Sequence, residues 1–198
     1  STTKIMTCLY TLKHGDLSKK VTVSKRASQA PQVKLGMREG EEYQLSDLLY
    51  SLMLESHNDT AIAIAESVEG SVEAFCKKMT EEVRTFGCKE TCFETPNGLD
   101  SENHHTTAYE LALITREALK NVSFREIIKT PSYSFSTLNG KRNFSVTNHD
   151  AFLSLYKGAI GVKTGFTGKA GYCFVGAVED DNRLFLSVVL ACGWPPNK

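Results

Sequence analysis

At 198 residues, 41% hydrophobic and 23% charged, the chain has an ordinary globular composition, long enough for one sizeable core and short for two. Its 23 basic and 23 acidic residues are spread along the chain and cancel, which argues against a nucleic-acid partner or an anionic membrane surface. No apolar run approaches the roughly 18 residues of a membrane helix, and no charged-then-apolar leader precedes Ser1, so any membrane attachment must come through a segment not present in this chain.

The first predicted element starts at once. Apolar Ile5, Cys8, Leu9 and Leu12 fall at i, i+3, i+4 and i+7, the pattern of a helix with one buried stripe. At about 100° per residue, Ser1 and Lys4 project close to that stripe, so a lysine is placed on the buried face. An ammonium out of water tends to lose its proton, which makes Lys4 a candidate base for the Ser1 hydroxyl one turn back. An N-cap serine followed by a snorkelling lysine has the same spacing, and the pair alone leaves both readings open.

His14-Gly15-Asp16 ends this helix, Val21-Thr22-Val23 reads as a short strand, and a glycine-containing hairpin is expected around Gly36 and Gly40. Ser46 is the expected cap of a helix carrying Leu45, Leu48, Leu49, Leu52 and Met53 on one face, stopping near Ser56-His57-Asn58. Thr60 to Val68 is apolar nearly all round, as a buried central helix would be, so the Ser56–Asn58 turn is held between two packed helices. Ser71 opens a helix with Val72, Phe75, Cys76, Met79, Val83 and Phe86 as its stripe, ended by Gly87. Pro96-Asn97-Gly98 is turn chemistry, and Thr107–Glu110 and Ser123–Glu126 have the spacing of capping boxes.

From Ser132 the period changes to two, with Tyr133 and Phe135, Phe144 and Val146, then Tyr172–Val178 and Leu184–Leu190 joined at Asp180-Asp181-Asn182. Helices over about 1–130 followed by antiparallel strands over about 131–193 predict an α+β class: one domain over 1–198, an antiparallel sheet covered by a helical cluster. Six cysteines show no zinc spacing. Cys8, Cys76 and Cys173 are expected as buried free thiols, and only Cys88 and Cys92 are placed for a disulfide. His104-His105 beside Asp100 and Glu102 lacks fixed ligand spacing and reads as a solvated loop, so no metal or other cofactor is expected.

Two further motifs join Ser1-x-x-Lys4: Ser56-His57-Asn58 on the inter-helix turn, and Lys163-Thr164-Gly165 at an expected strand start between Gly161 and Gly168. A Lys-Thr-Gly triplet alone arises in about one chain in twenty by composition, and the three in this order are far rarer. Together they resemble the penicillin-binding proteins and serine β-lactamases. Thr95-Pro96-Asn97-Gly98-Leu99-Asp100, His105-Thr106-Thr107-Ala108 and the run Val162 to Val175 narrow the resemblance to the low-molecular-mass D-alanyl-D-alanine carboxypeptidases, over nearly the whole chain.

The resemblance implies an exported enzyme of the bacterial cell envelope. Its substrate would be a peptidoglycan stem peptide ending in D-Ala-D-Ala, with β-lactams as covalent inhibitors. Carried over residue by residue, Ser1 is the nucleophile and Lys4 its base, Ser56 relays the proton, and Asn58 orients Lys4. Lys163 adds positive charge near Lys4. Lys163 and Thr164 hold the terminal carboxylate, backbone N–H groups of Ser1 and Phe166 stabilise the oxyanion, and Gly165 and His57 line the cleft.

The family has strands before the first motif and a helix after the last strand, so the chain is expected to be a fragment or core of a longer protein. Some relatives bind the carboxylate with an arginine past the last strand. Gly193 to Lys198 has none, leaving Lys198 or Thr164 for that task. Three other readings compete. A class A β-lactamase needs a Glu-x-x-x-Asn spacing that Glu94, Glu102 and Asn103 do not provide. An N-terminal-nucleophile hydrolase leaves Ser56, Asn58 and Lys163 without purpose, and a non-catalytic peptide-binding module would bind without a covalent adduct.

Overall fold

A computed structural model describes residues 1–193; Lys198, named above beside Thr164 for the terminal carboxylate, lies outside them. Helix α1 (Lys4–His14) runs through the centre of the molecule and packs against α3 (Leu45–Leu54), α4 (Asn58–Glu69), α5 (Val72–Thr85), α6 (Ala108–Ala118) and α7 (Val122–Lys129). The sequence predicts one buried stripe on α1, yet every residue from Lys4 to Thr11 is buried. Its polar positions meet the requirement for internal partners: Thr11 Oγ1 donates to Thr7 O at 2.7 Å and Thr7 Oγ1 to Pro96 O at 2.6 Å. The second bond also pins the Pro96 turn onto α1.

Helix α4 is buried from Asn58 through Ala65, as its all-round apolar pattern requires, and ends at Gly70 with φ 80°. Ser71 caps α5 by accepting from the Ala74 amide at 3.1 Å. Two expected caps are displaced. Helix α3 starts from Gln44 without a side-chain cap rather than at Ser46, and α7 is capped by Asn121, whose Oδ1 accepts from Phe124 N at 3.1 Å, rather than by Ser123. Thr107 does cap α6. Glu110, however, does not reach back to close the box. Its carboxylate accepts from the amides of Lys89, Glu90 and Thr91 at 2.6, 3.0 and 2.7 Å, holding the preceding loop instead.

Among the described residues the strands form three antiparallel sheets rather than one. Strand β1 (Lys20–Thr22) pairs with β2 (Glu42–Gln44), and the connection carries the short helix α2 (Lys25–Ser28) before Gly36 and Gly40, both at φ near 80°. The expected tight hairpin there is instead a long loop. Three of its amides, Leu35, Gly36 and Met37, donate to the buried Asp59 carboxylate. Strands β3 (Ser132–Ser136) and β4 (Asn143–Thr147) make a separate hairpin over α3, where Tyr133 stacks on Tyr50 at 3.8 Å.

After the short helix α8 (Phe152–Leu155) come β5 (Ala159–Thr167), β6 (Gly171–Asp180) and β7 (Arg183–Cys192) in that spatial order. The Asp181-Asn182 turn has both residues at positive φ, 45° and 62°, as a two-residue hairpin needs. Ile160, Val162, Val175 and Ala177 face the helices. Lys163-Thr164-Gly165 lies well inside β5, not at its start. All six cysteines are free; Cys8, Cys76 and Cys88 are buried, Cys173 only partly so, and Cys88 and Cys92, the one pair placed for a disulfide, form none.

Candidate active site

Three elements bring the three motifs to one cleft of about 810 Å³, lined by Ser1, Ser56, Asn58, Lys163, Thr164, Gly165 and Phe166 among others. At the N-terminus of α1, the Lys4 side chain is fully buried and its Nζ has three oxygen neighbours: Ser1 Oγ at 3.3 Å, Asn58 Oδ1 at 2.9 Å and the Asn97 carbonyl at 2.7 Å. Burial first, and then the charge of Lys163, hold the Lys4 pKa well below the usual lysine range, against an opposing pull from Asp59. The Asn58 amide orientation is fixed, because Nδ2 must donate to the Gln32 and Pro31 carbonyls at 3.0 and 3.3 Å. Oδ1 therefore faces Lys4. Two of the three neighbours accept only, and a neutral amine has two N–H bonds to give them. Nζ also stands as a donor to Ser1 Oγ; in a neutral amine the lone pair would take that third position, with the Ser1 hydroxyl donating to it.

Ser56 has φ 66°, unusual for a residue with a side chain, and its buried Oγ has no hydrogen-bond partner among the described residues. This left-handed turn sends Ser56 and Asn58 to the cleft and His57 the other way. His57 is thus a correction: it does not line the cleft but lies buried against α3, with Nδ1 2.9 Å from Ser51 Oγ and Nε2 3.2 Å from Glu55. Burial lowers its pKa, opposed by Asp59 and Glu55.

On the opposite wall, Lys163 is buried and its Nζ donates to the Thr164 carbonyl at 3.1 Å. Burial lowers its pKa to about 8, against the opposing charge of Asp150. Gly165 lets β5 close onto α1, since a Cβ there would stand 3.1 Å from Thr2 N and 3.3 Å from Ser1 N. Gly98, at φ 76°, allows the same approach from below; a Cβ would meet Ser1 N at 2.8 Å. Phe166 is exposed at the cleft edge.

Sequence reasoning missed the Asn97 carbonyl, although the turn containing it was recognised, and it missed Asp59, for which the sequence offers no signal. The His104 region is also corrected: His104 is partly buried and tied to Thr3, while His105 is the exposed member. No cluster that could hold a metal occurs among the described residues. Glu94 is committed to the 101–103 loop, accepting from Ser101 Oγ and from Asn103 N and Nδ2, both at 3.0 Å.

The model of the D-alanyl-D-alanine carboxypeptidase family matches residues 1–193. Among curated relatives, the D-alanyl-D-alanine carboxypeptidase DacF of Bacillus subtilis is 32% identical over the whole chain, and DacB2 of Mycobacterium tuberculosis 35% identical over 92% of it. The chain spans 52% and 62% of those two proteins' lengths. A D-alanyl-D-alanine carboxypeptidase structure from M. tuberculosis superposes with a TM-score of 0.91 at 34% identity, covering 98% of this chain and 73% of that one. A Streptomyces DD-transpeptidase gives a TM-score of 0.90 at 32% identity, covering 98% and 80%. With the family's model matched from the first motif through the last strand, the chain belongs to the D-alanyl-D-alanine carboxypeptidase family.

Proposed function

We propose that the protein is a serine D-Ala-D-Ala carboxypeptidase working through an acyl-enzyme on Ser1. The observation that carries this is the surroundings of Lys4: a buried lysine beside a second cation, with two obligate acceptors taking its N–H bonds and its remaining position on a serine hydroxyl. Neutral Lys4 takes the Ser1 proton as Oγ attacks the carbonyl of the penultimate D-Ala. The reading assigns the developing oxyanion to the backbone nitrogens of Ser1 and Phe166, the first of which lies 3.5 Å from the Gly98 carbonyl. Ser56, whose Oγ has no partner among the described residues, passes a proton to the leaving D-Ala nitrogen. Asn58 is occupied by Lys4 and the 31–32 carbonyls, so its role is to orient the base. Lys163 and Thr164 hold the terminal carboxylate, and water then releases the shortened stem peptide.

One relative is named a transpeptidase; the same acyl-enzyme serves both outcomes, water or an amine being the acceptor. A peptidoglycan substrate lies outside the cytoplasmic membrane, and the reading therefore has the enzyme act there. Among the described residues no helix is long and apolar enough to cross a membrane.

The test is intact-mass spectrometry after incubation with benzylpenicillin. One drug-sized adduct mapping to Ser1, absent from Ser1→Ala, supports the reading. Absence of any adduct, or rapid turnover of the drug, overturns it in favour of a binding module or a β-lactamase respectively.

A further inference from the structure

Asn97 supplies the shortest of the three contacts to Lys4 Nζ, through a backbone carbonyl. A carbonyl on a turn is only as well placed as the turn. What holds this turn at its N-terminal side is His104. Its Nδ1 faces two backbone N–H groups, Glu94 at 3.0 Å and Thr95 at 3.4 Å, and must accept from them. The proton is therefore on Nε2, which donates to Thr3 Oγ1 at 2.9 Å. Thr3 is an interior residue of Ser1-x-x-Lys4, directly preceding the base.

The ring is partly buried and lies 5.8 Å from Phe93. Burial holds its pKa down at about 4, so the neutral tautomer persists through the working range. One side chain thus ties the strand of chain entering the Asn97 turn to the residue next to Lys4. Further along the turn, Thr7 Oγ1 grips Pro96 O at 2.6 Å, and the Asn97 side chain accepts from Leu99 N at 3.0 Å. Gly98 completes the fit against Thr3.

We infer that His104 is a positioning residue for acylation, clamping the 94–97 segment to Thr3 so that the Asn97 carbonyl meets Lys4 Nζ and aims its lone pair at Ser1. The inference rests on the acyl-enzyme reading above. Loss of the clamp leaves substrate binding in place and loosens the base, so the defect falls on the acylation rate constant rather than on the affinity of the first complex.

The experiment is stopped-flow acylation with a fluorescent penicillin, separating the rate constant from the initial dissociation constant, on wild type, His104→Asn, Thr3→Val and the double variant. Asn keeps an acceptor near the Nδ1 position but does not reach Thr3, so it removes the same bond that Thr3→Val removes. The expected result is a fall of about tenfold in the rate constant for each single variant, little change in the dissociation constant, and a double variant no slower than either single. His104→Ala, which removes both ends, should fall further, with circular dichroism confirming that each variant is folded. Rate constants within twofold of wild type, losses that multiply in the double variant, or a defect confined to the dissociation constant would overturn the clamp. If wild type itself takes no adduct, it is the acyl-enzyme reading that fails.

Discussion

The base proposed for Ser1, Lys4, can act only when neutral, so under that proposal acylation by benzylpenicillin should rise with pH through its lowered pKa, fully developed below the usual lysine range. Lys163 acts in the opposite sense. It must be charged to hold a carboxylate, and its pKa of about 8 means that KM for a D-Ala-D-Ala peptide should climb above pH 8. A kcat/KM profile on a stem-peptide substrate that fails to fall on the alkaline side would contradict this. Replacing Lys4 with methionine should slow acylation by about 10³-fold, in the range of a lost general base, while circular dichroism shows the fold retained. Ser56 offers a different trade. Its positive φ and unpartnered buried hydroxyl both cost stability, so Ser56→Gly should raise the melting temperature by roughly 2–4 °C, about 1 kcal/mol, while lowering D-Ala release by about 10²-fold.

The elements meet at the site through close backbone approaches, and those approaches have identifiable supports. Gly98→Ala meets both a left-handed φ and a Cβ contact of 2.8 Å with Ser1 N. It should cost roughly 2 kcal/mol in urea denaturation and abolish penicillin labelling, whereas alanine at the solvent-facing Gly168 should leave labelling intact. Glu110 supports α6 and the 89–91 loop together. Burial tends to raise its pKa, but the hydrogen bonds from Thr91, Glu90 and Lys89 outweigh it and hold the carboxyl at about 2. With the folded value below the unfolded one, its contribution is full above about pH 4.5 and is lost as pH falls toward 2. Glu110→Gln should therefore lower stability at pH 7 by roughly 2 kcal/mol and lose much of that deficit near pH 2, as chemical denaturation at the two pH values would show.

For the whole molecule, charge is balanced, with 23 basic and 23 acidic residues. The sequence isoelectric point is near 6.9, and β7 is an edge strand among the described residues, with Phe185, Leu184 and Val189 exposed. At this scale the limits of sequence reading are physical. The period of Ile5, Cys8, Leu9 and Leu12 marks α1, and the alternation after Ser132 marks strands, because one-dimensional periodicity reports which side chains leave water. Periodicity does not say which strands pair, and so β3–β4 stands apart from β5–β6–β7 where one sheet was expected. The three motifs were legible because their chemistry needs particular side chains. The Asn97 carbonyl, the Asp59 anchor and the tautomer of His104 were not, since a backbone oxygen has no residue signature and a buried carboxylate looks like any other until its partners arrive from distant segments. The sequence by itself determined the helix-then-strand order and the three motifs on which the proposed acyl transfer rests. Only the tertiary structure decided that His57 turns away and that Lys4 is surrounded by acceptors, because hydrogen-bond satisfaction and desolvation depend on neighbours 50 to 100 positions away along the chain.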